Sequence, residues 1–201
     1  MKLKKIIALL SLFALLLSLA ACGSKNSASP AETMDGIMQE LISCDDEMLE
    51  EIFTEDLMAE EGMMLSEDDV EFSKEIYKIM LSQLSYKITD VSENGDTAIV
   101  TMEITNVDYA EAFSTFFANA ISKVMPYTLM SEEQRPSDEE MMEIMKECFL
   151  ETYQSKDLSK VTNTVKIKMT YEDDMWYFES NDDFVDAITG GAMSFIDDLE
   201  E

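Results

Sequence analysis

Apolar and polar positions divide the chain into stretches of two periods. From residue 29 the apolar residues recur every three to four positions. Ser29-Pro30-Ala31-Glu32 supplies a helix cap, a proline suited to the first turn and a glutamate three residues after the serine. Met34, Ile37, Met38, Leu41 and Ile42 follow at helical spacing. Asp45 or Asp46 caps a short second helix carrying Met48, Leu49, Ile52 and Phe53. Thr54 to Leu65 is ambiguous, with a further helical turn around Leu57 and Met58 as one reading. Ser66-Glu67-Asp68-Asp69 is a second capping box. It opens a helix to about Leu84 that buries Val70, Ile76, Tyr77, Met80, Leu81 and Leu84.

At Tyr86 the period changes to two. Tyr86 to Ser92 and Ala98 to Thr105 flank Asn94-Gly95, a hairpin-turn signal. Ala98, Val100, Met102 and Ile104 share one face of the second strand; Ile99, Thr101, Glu103 and Thr105 share the other. Helical spacing then returns. Asp108 caps a run with Phe113, Phe116, Phe117, Ala120, Ile121 and Val124 on one stripe, which Pro126 is expected to stop. Ser137-Asp138-Glu139-Glu140 caps a further helix to about Tyr153. Val161 to Tyr171 alternates again, Asp173-Asp174 turns into Met175 to Glu179, and a helix from Asp182 to Thr189 ends at Gly190-Gly191. A weak acidic helix finishes the chain. The pattern predicts an α+β fold: a mainly antiparallel sheet with helices on one face, and a helical insertion between two hairpins.

Residues 1–21 read differently. A basic tip (Lys2, Lys4, Lys5) precedes an apolar block from Ile6 to Leu19 and small residues at Ala20 and Ala21, the layout of a secretory signal peptide. The block is shorter than the about 20 apolar residues a transmembrane helix needs. Its ending, Leu19-Ala20-Ala21-Cys22, resembles the bacterial lipobox. That resemblance implies cleavage between Ala21 and Cys22 and a diacylglyceryl group on the Cys22 sulfur. Two acyl chains at about 0.8 kcal/mol per buried CH₂ hold a protein firmly where one chain holds only marginally. The implied organisation is a signal peptide over 1–21, a lipidated tether over 22–29, and one α+β domain over 30–201.

Charge narrows the partners. The chain has 14 basic and 43 acidic residues. Loss of residues 1–21 removes three lysines and leaves a net charge of −32. That sign argues against nucleic acid and against electrostatic attachment to anionic lipid. Histidine is absent, which removes imidazole metal ligands and histidine-based triads. Cys44 and Cys148 continue apolar helical stripes, so buried free thiols are favoured over a disulfide. No cofactor or metal motif is present, and none is expected to bind.

Two segments carry a further likeness. Tyr86 to Asp108, and Lys166 to Gly191 with its strand, EDDMWYFESNDDF, short helix and Gly-Gly, resemble uncharacterised lipoproteins of Gram-positive bacteria. The resemblance implies a cystatin-like, nuclear-transport-factor-2-like fold, a curved sheet wrapped around a helix. The motifs behind it are structural and name no activity.

Several residues could carry chemistry. Glu103 could serve as a carboxylate within a sheet concavity; a solvated position with a cross-strand partner in Lys166 or Lys168 is the favoured reading. Tyr171, Trp176, Tyr177 and Phe178 could line a ligand pocket, although such aromatics more often fill a core. Residues 45–71 hold 13 acidic residues and no lysine or arginine, without the spacing of a calcium loop. Helix N-termini account for most of them. The methionines follow the apolar stripes and read as core. The expectation is an extracytoplasmic, membrane-anchored lipoprotein that binds an envelope protein or small ligand without catalysis. The alternative is an enzyme using carboxylate and tyrosine chemistry in the concavity. A two-lobed solute-binding lipoprotein ranks last, because the chain is short for two lobes.

Overall fold

The computed structural model describes residues 28–54, 67–131, 134–155 and 157–200. Residues 1–21, Cys22, the stretch around Leu57 and Met58 and the expected Ser66 cap lie outside them.

Local chemistry sets most boundaries. Helix α1 (Pro30–Ser43) starts on Ser29, whose hydroxyl accepts from the Glu32 amide while Glu32 accepts from the Ser29 amide. Such a box satisfies two of the donors that every helix start leaves over. Asp45 caps α2 (Asp46–Ile52), and α3 spans Glu67–Ser82. Ser137 and Glu140 form a second reciprocal box at the head of α5 (Asp138–Tyr153). Asp108 caps α4 (Tyr109–Thr128). Pro126 does not stop α4, contrary to the sequence expectation. It sits in the last turn, where its missing N–H leaves only the Ser122 carbonyl without its helical donor.

Four strands form one antiparallel sheet in the order β1 (Ser85–Asn94), β2 (Thr97–Val107), β3 (Lys160–Glu172), β4 (Met175–Glu179). The sheet is curved and does not close. The fold is α+β, with two hairpins separated by α4 and α5 as the pattern predicts. The first turn lies one residue later than Asn94-Gly95: Asn94 pairs with Thr97, and Gly95-Asp96 are central. Gly95 has φ +62, and glycine at the first central position suits a type II′ turn. A bulge between Ile88 and Asp90 shifts the β1 register. The pairing of β2 with β3 is continuous from Thr97↔Thr170 to Val107↔Lys160.

The second hairpin turns through Asp173 and Asp174, at φ +49 and +63. Two left-handed central residues are the type I′ arrangement, which favours glycine at the second. Asp174→Gly should therefore stabilise the protein by about 1 kcal/mol, since an L-residue in that region carries roughly 1–2 kcal/mol of strain. Urea titrations of the two proteins decide it; an unchanged or lower midpoint overturns the turn assignment.

One face of the sheet carries the core. Ala98, Val100, Met102, Ile104, Val165, Ile167 and Met169 are buried under α1 and α6 (Asp182–Ile188). Leu49, Tyr77, Leu81 and Leu84 extend this core toward α2 and α3. A second, aromatic cluster lies where α3, α4, α5 and α7 (Ala192–Glu200) meet. Phe149 stacks on Tyr153 at 4.4 Å and meets Phe72 and Phe116 edge-on at 6.0 and 5.6 Å. Tyr109 and Phe113 carry it to Phe195 at 5.7 and 5.2 Å. Lys123 pairs with Glu151 at 2.8 Å across α4 and α5. No helix among the described residues is long and apolar enough to cross a membrane.

Candidate functional site

Strand alternation separates the proposed carboxylate from the proposed aromatics. Glu103 is exposed on the outer face of the sheet, opposite Lys87 on β1 and Thr164 on β3. Lys166 and Lys168 face Thr101 and Ile99 instead, and the lysine in register with Glu103 is Lys87 on β1. Tyr171, Trp176 and Phe178 lie on the inner face, because Tyr171 pairs with Trp176 and Met169 with Phe178. Trp176 and Phe178 are buried, and Tyr171 packs against the same core. The Tyr171 and Trp176 rings are 5.1 Å apart, and Phe178 meets Phe184 edge-on at 5.9 Å. These side chains fill the inner face rather than line a cavity. Tyr177 points the other way, opposite Thr170. The structure thus does not bring Glu103 together with the three aromatics.

Cys44 and Cys148 are both buried and free. Cys44 ends α1 in a left-handed conformation, φ 40. Burial pushes its thiol up to about 11, outweighing the nearby Lys78 ammonium, so the reactive thiolate is scarce at neutral pH. Cys22 and Ala21, the residues expected to flank a cleavage site, lie outside the described residues.

Acidic groups near α2 have structural partners. Asp45 is the α2 cap, and Asp46 pairs with Lys78, which holds its carboxyl below the usual range. A charged groove of about 810 Å³ opens between α2, α3 and α5. Its lysines are already committed: Lys74 to Glu71 at 3.0 Å, Lys78 to Asp46, and Lys146 to Glu143 at 3.5 Å. Among the described residues no group of three metal-ligating side chains is assembled.

The feature that sequence reasoning missed is on α4. Phe117 and Ile121 belong to its apolar stripe but are 51% and 52% exposed, and Met125 and Leu129 continue the row at 62% and 88%. Met142 of α5 is 46% exposed. Beside the row runs an apolar groove of about 370 Å³, lined by Ala120, Val124, Thr128 and Met145 as well as by Phe117, Ile121 and Met125. The signal was present in the sequence as an absence of charge. Within Tyr109–Thr128 only Glu111 and Lys123 are charged, in a chain with 43 acidic residues. Glu111 binds the Ser159 amide and hydroxyl, and Lys123 pairs with Glu151. The outward face of α4 is therefore uncharged, a surface suited to contact with another apolar face.

No protein family matches the chain, and no curated protein does. A solved structure that resembles it is a Bacillus subtilis subsp. subtilis str. 168 protein, ycdA, named as a candidate lipoprotein. The two share 16% identity and superpose with a TM-score of 0.47, over 90% of this chain and 55% of that one.

Proposed function

We propose that this chain is an extracytoplasmic lipoprotein of a Gram-positive bacterium, held to the membrane through a diacylglyceryl group on Cys22. Residues 30–201 then act as one cystatin-like binding module without catalysis, presented on a tether of residues 22–29. The observation that carries the reading is the contrast between the two sides of the molecule. The inner face of the sheet is filled by Trp176, Phe178 and their neighbours, while α4 exposes an uncharged apolar row. A ligand pocket needs concave space with converging polar groups. A protein interface needs apolar side chains at its centre and few charges there. The exposed row meets the second requirement, so binding is assigned to the α4–α5 surface. The enzyme alternative needs a carboxylate inside the concavity, and Glu103 is on the opposite face.

The anchor is tested by Cys22→Ser in the full chain, expressed in a Gram-positive host. The parent should fractionate with membranes and the variant should appear in the medium or remain as uncleaved precursor. Mature-length variant that stays membrane-bound overturns the anchor.

A further inference from the structure

We infer that the α4 face is a self-association surface and that its occupant is a second copy of this chain. The inference rests on the proposal that this surface binds protein, and it names the partner.

Helix α4 carries two parallel rows at four-residue spacing. Phe117, Ile121, Met125 and Leu129 form a raised row of large side chains. Ala110, Ser114, Ala118 and Ser122, all exposed, form a low row of small ones beside it. Rows at this spacing are the ridges and grooves through which helices interlock. A parallel copy related by a two-fold axis along the helices sets each large row against the other's small row, so one surface supplies both ridge and groove. A two-fold contact requires such a self-complementary patch. Leu129, 88% exposed, is a knob at one end of a face that also holds the 370 Å³ groove.

Charge and area favour the same occupant. At a net charge of −32 after loss of residues 1–21, two copies meeting through most other surfaces would oppose carboxylates. Paired α4 faces avoid this, since neither row contains a charge. A large aromatic side chain offers about 150–250 Å² when fully free, an upper scale for the aliphatic ones. At their observed exposures, the four large residues contribute at most about 600 Å² per protomer. A standard interface buries about 800 Å² per partner, and the small row and flanking polar atoms supply the remainder.

The test places a cysteine at Ala118, near the centre of the small row, in the full chain. Membranes are treated with a mild oxidant and run without reductant. Ala118→Cys should give a band of twice the 22.8 kDa chain mass, allowing for processing and lipid. The parent chain and Thr164→Cys, on the outer sheet face, should give at least tenfold less. Adding Ile121→Glu should reduce the Ala118→Cys dimer at least tenfold while leaving Trp176 fluorescence unchanged. A dimer that ignores Ile121→Glu, or equal crosslinking from Thr164→Cys, overturns the inference. If Ala118→Cys instead joins a different polypeptide, self-association is overturned and the binding-face reading survives. No crosslink between copies overturns self-association.

Discussion

Gly190→Ala should prevent the protein from folding. A Cβ at this position would lie 1.9 Å from the Val107 carbonyl oxygen, an overlap of backbone with side chain that no rotamer change relieves. The residue also has φ +68, and its own carbonyl accepts from the Tyr109 amide at 2.9 Å. Moving the α6–α7 corner away from the end of β2 would break that bond. It would also disturb Asn106, a buried amide that donates to the Ile188 carbonyl and accepts from the Val107 amide. The expected loss exceeds about 4 kcal/mol, a large part of the 5–15 kcal/mol that holds a typical domain together. Two other glycines calibrate the result. Gly191 has φ +87 but open space around its missing Cβ, so alanine there costs about 1–2 kcal/mol of backbone strain. Gly36 is inside α1, exposed and unobstructed, so Gly36→Ala stabilises by about 0.5–1 kcal/mol. Urea unfolding followed by circular dichroism should rank them Gly36→Ala, parent, Gly191→Ala, with Gly190→Ala unfolded in buffer. A folded Gly190→Ala protein would show that the β2–α6 junction is misplaced.

The second large effect is at Phe184. It is completely buried, packs edge-on against Phe178 and opens the α6 face that continues through Val185, Ala187 and Ile188. Its amide is held by the Asn181 cap at 2.9 Å, so the helix start fixes the ring in place. Phe184→Ala removes that ring from the centre of the sheet's covered face, at a cost of about 3–5 kcal/mol. Phe117→Ala, by contrast, should change the stability of the monomer by less than about 1 kcal/mol, because half of the ring is already in water. Equal effects at the two phenylalanines would contradict the assignment of inner and outer surfaces.

Much of the fold was legible because its causes are local. Ser29 with Glu32 and Ser137 with Glu140 announce helix starts through side chains that reach only three residues. The strand faces of Ala98–Ile104 and Val165–Met169 follow from alternation alone. What was not legible depends on partners distant in sequence. Helical spacing groups Phe117 and Ile121 with Phe113 and Phe116, but it cannot say how much of the arc a neighbour covers. Here α5, α3 and α7 cover one side and leave the other open. The same holds for Trp176 and Phe178: alternation places them on one face, whereas whether that face is hollow depends on α1 and Phe184. Pro126 misled for another reason. The rule that proline ends a helix assumes that the lost bond lies in mid-helix, and in the last turn the cost is one acceptor. For the candidate site, strand parity already separates Glu103 from Trp176 once register is known, and register was the missing information.

The β2–β3 ladder has a kinetic consequence. Its two strands are the most extensively paired in the sheet, yet residues 108–159 separate them. Closing a loop costs chain entropy that rises by about 0.6 kcal/mol for each doubling of its length. The α4–α5 hairpin reduces this cost if it zips first, since its ends, near Asp108 and Ser159, are joined by the Asp108 amide donating to the Ser159 carbonyl at 2.9 Å. Folding then proceeds from two local hairpins and a helical pair toward one late docking event, with a long-range search shortened in advance. The helical insertion would act as a clasp that holds the two strands' approach short while the sheet completes.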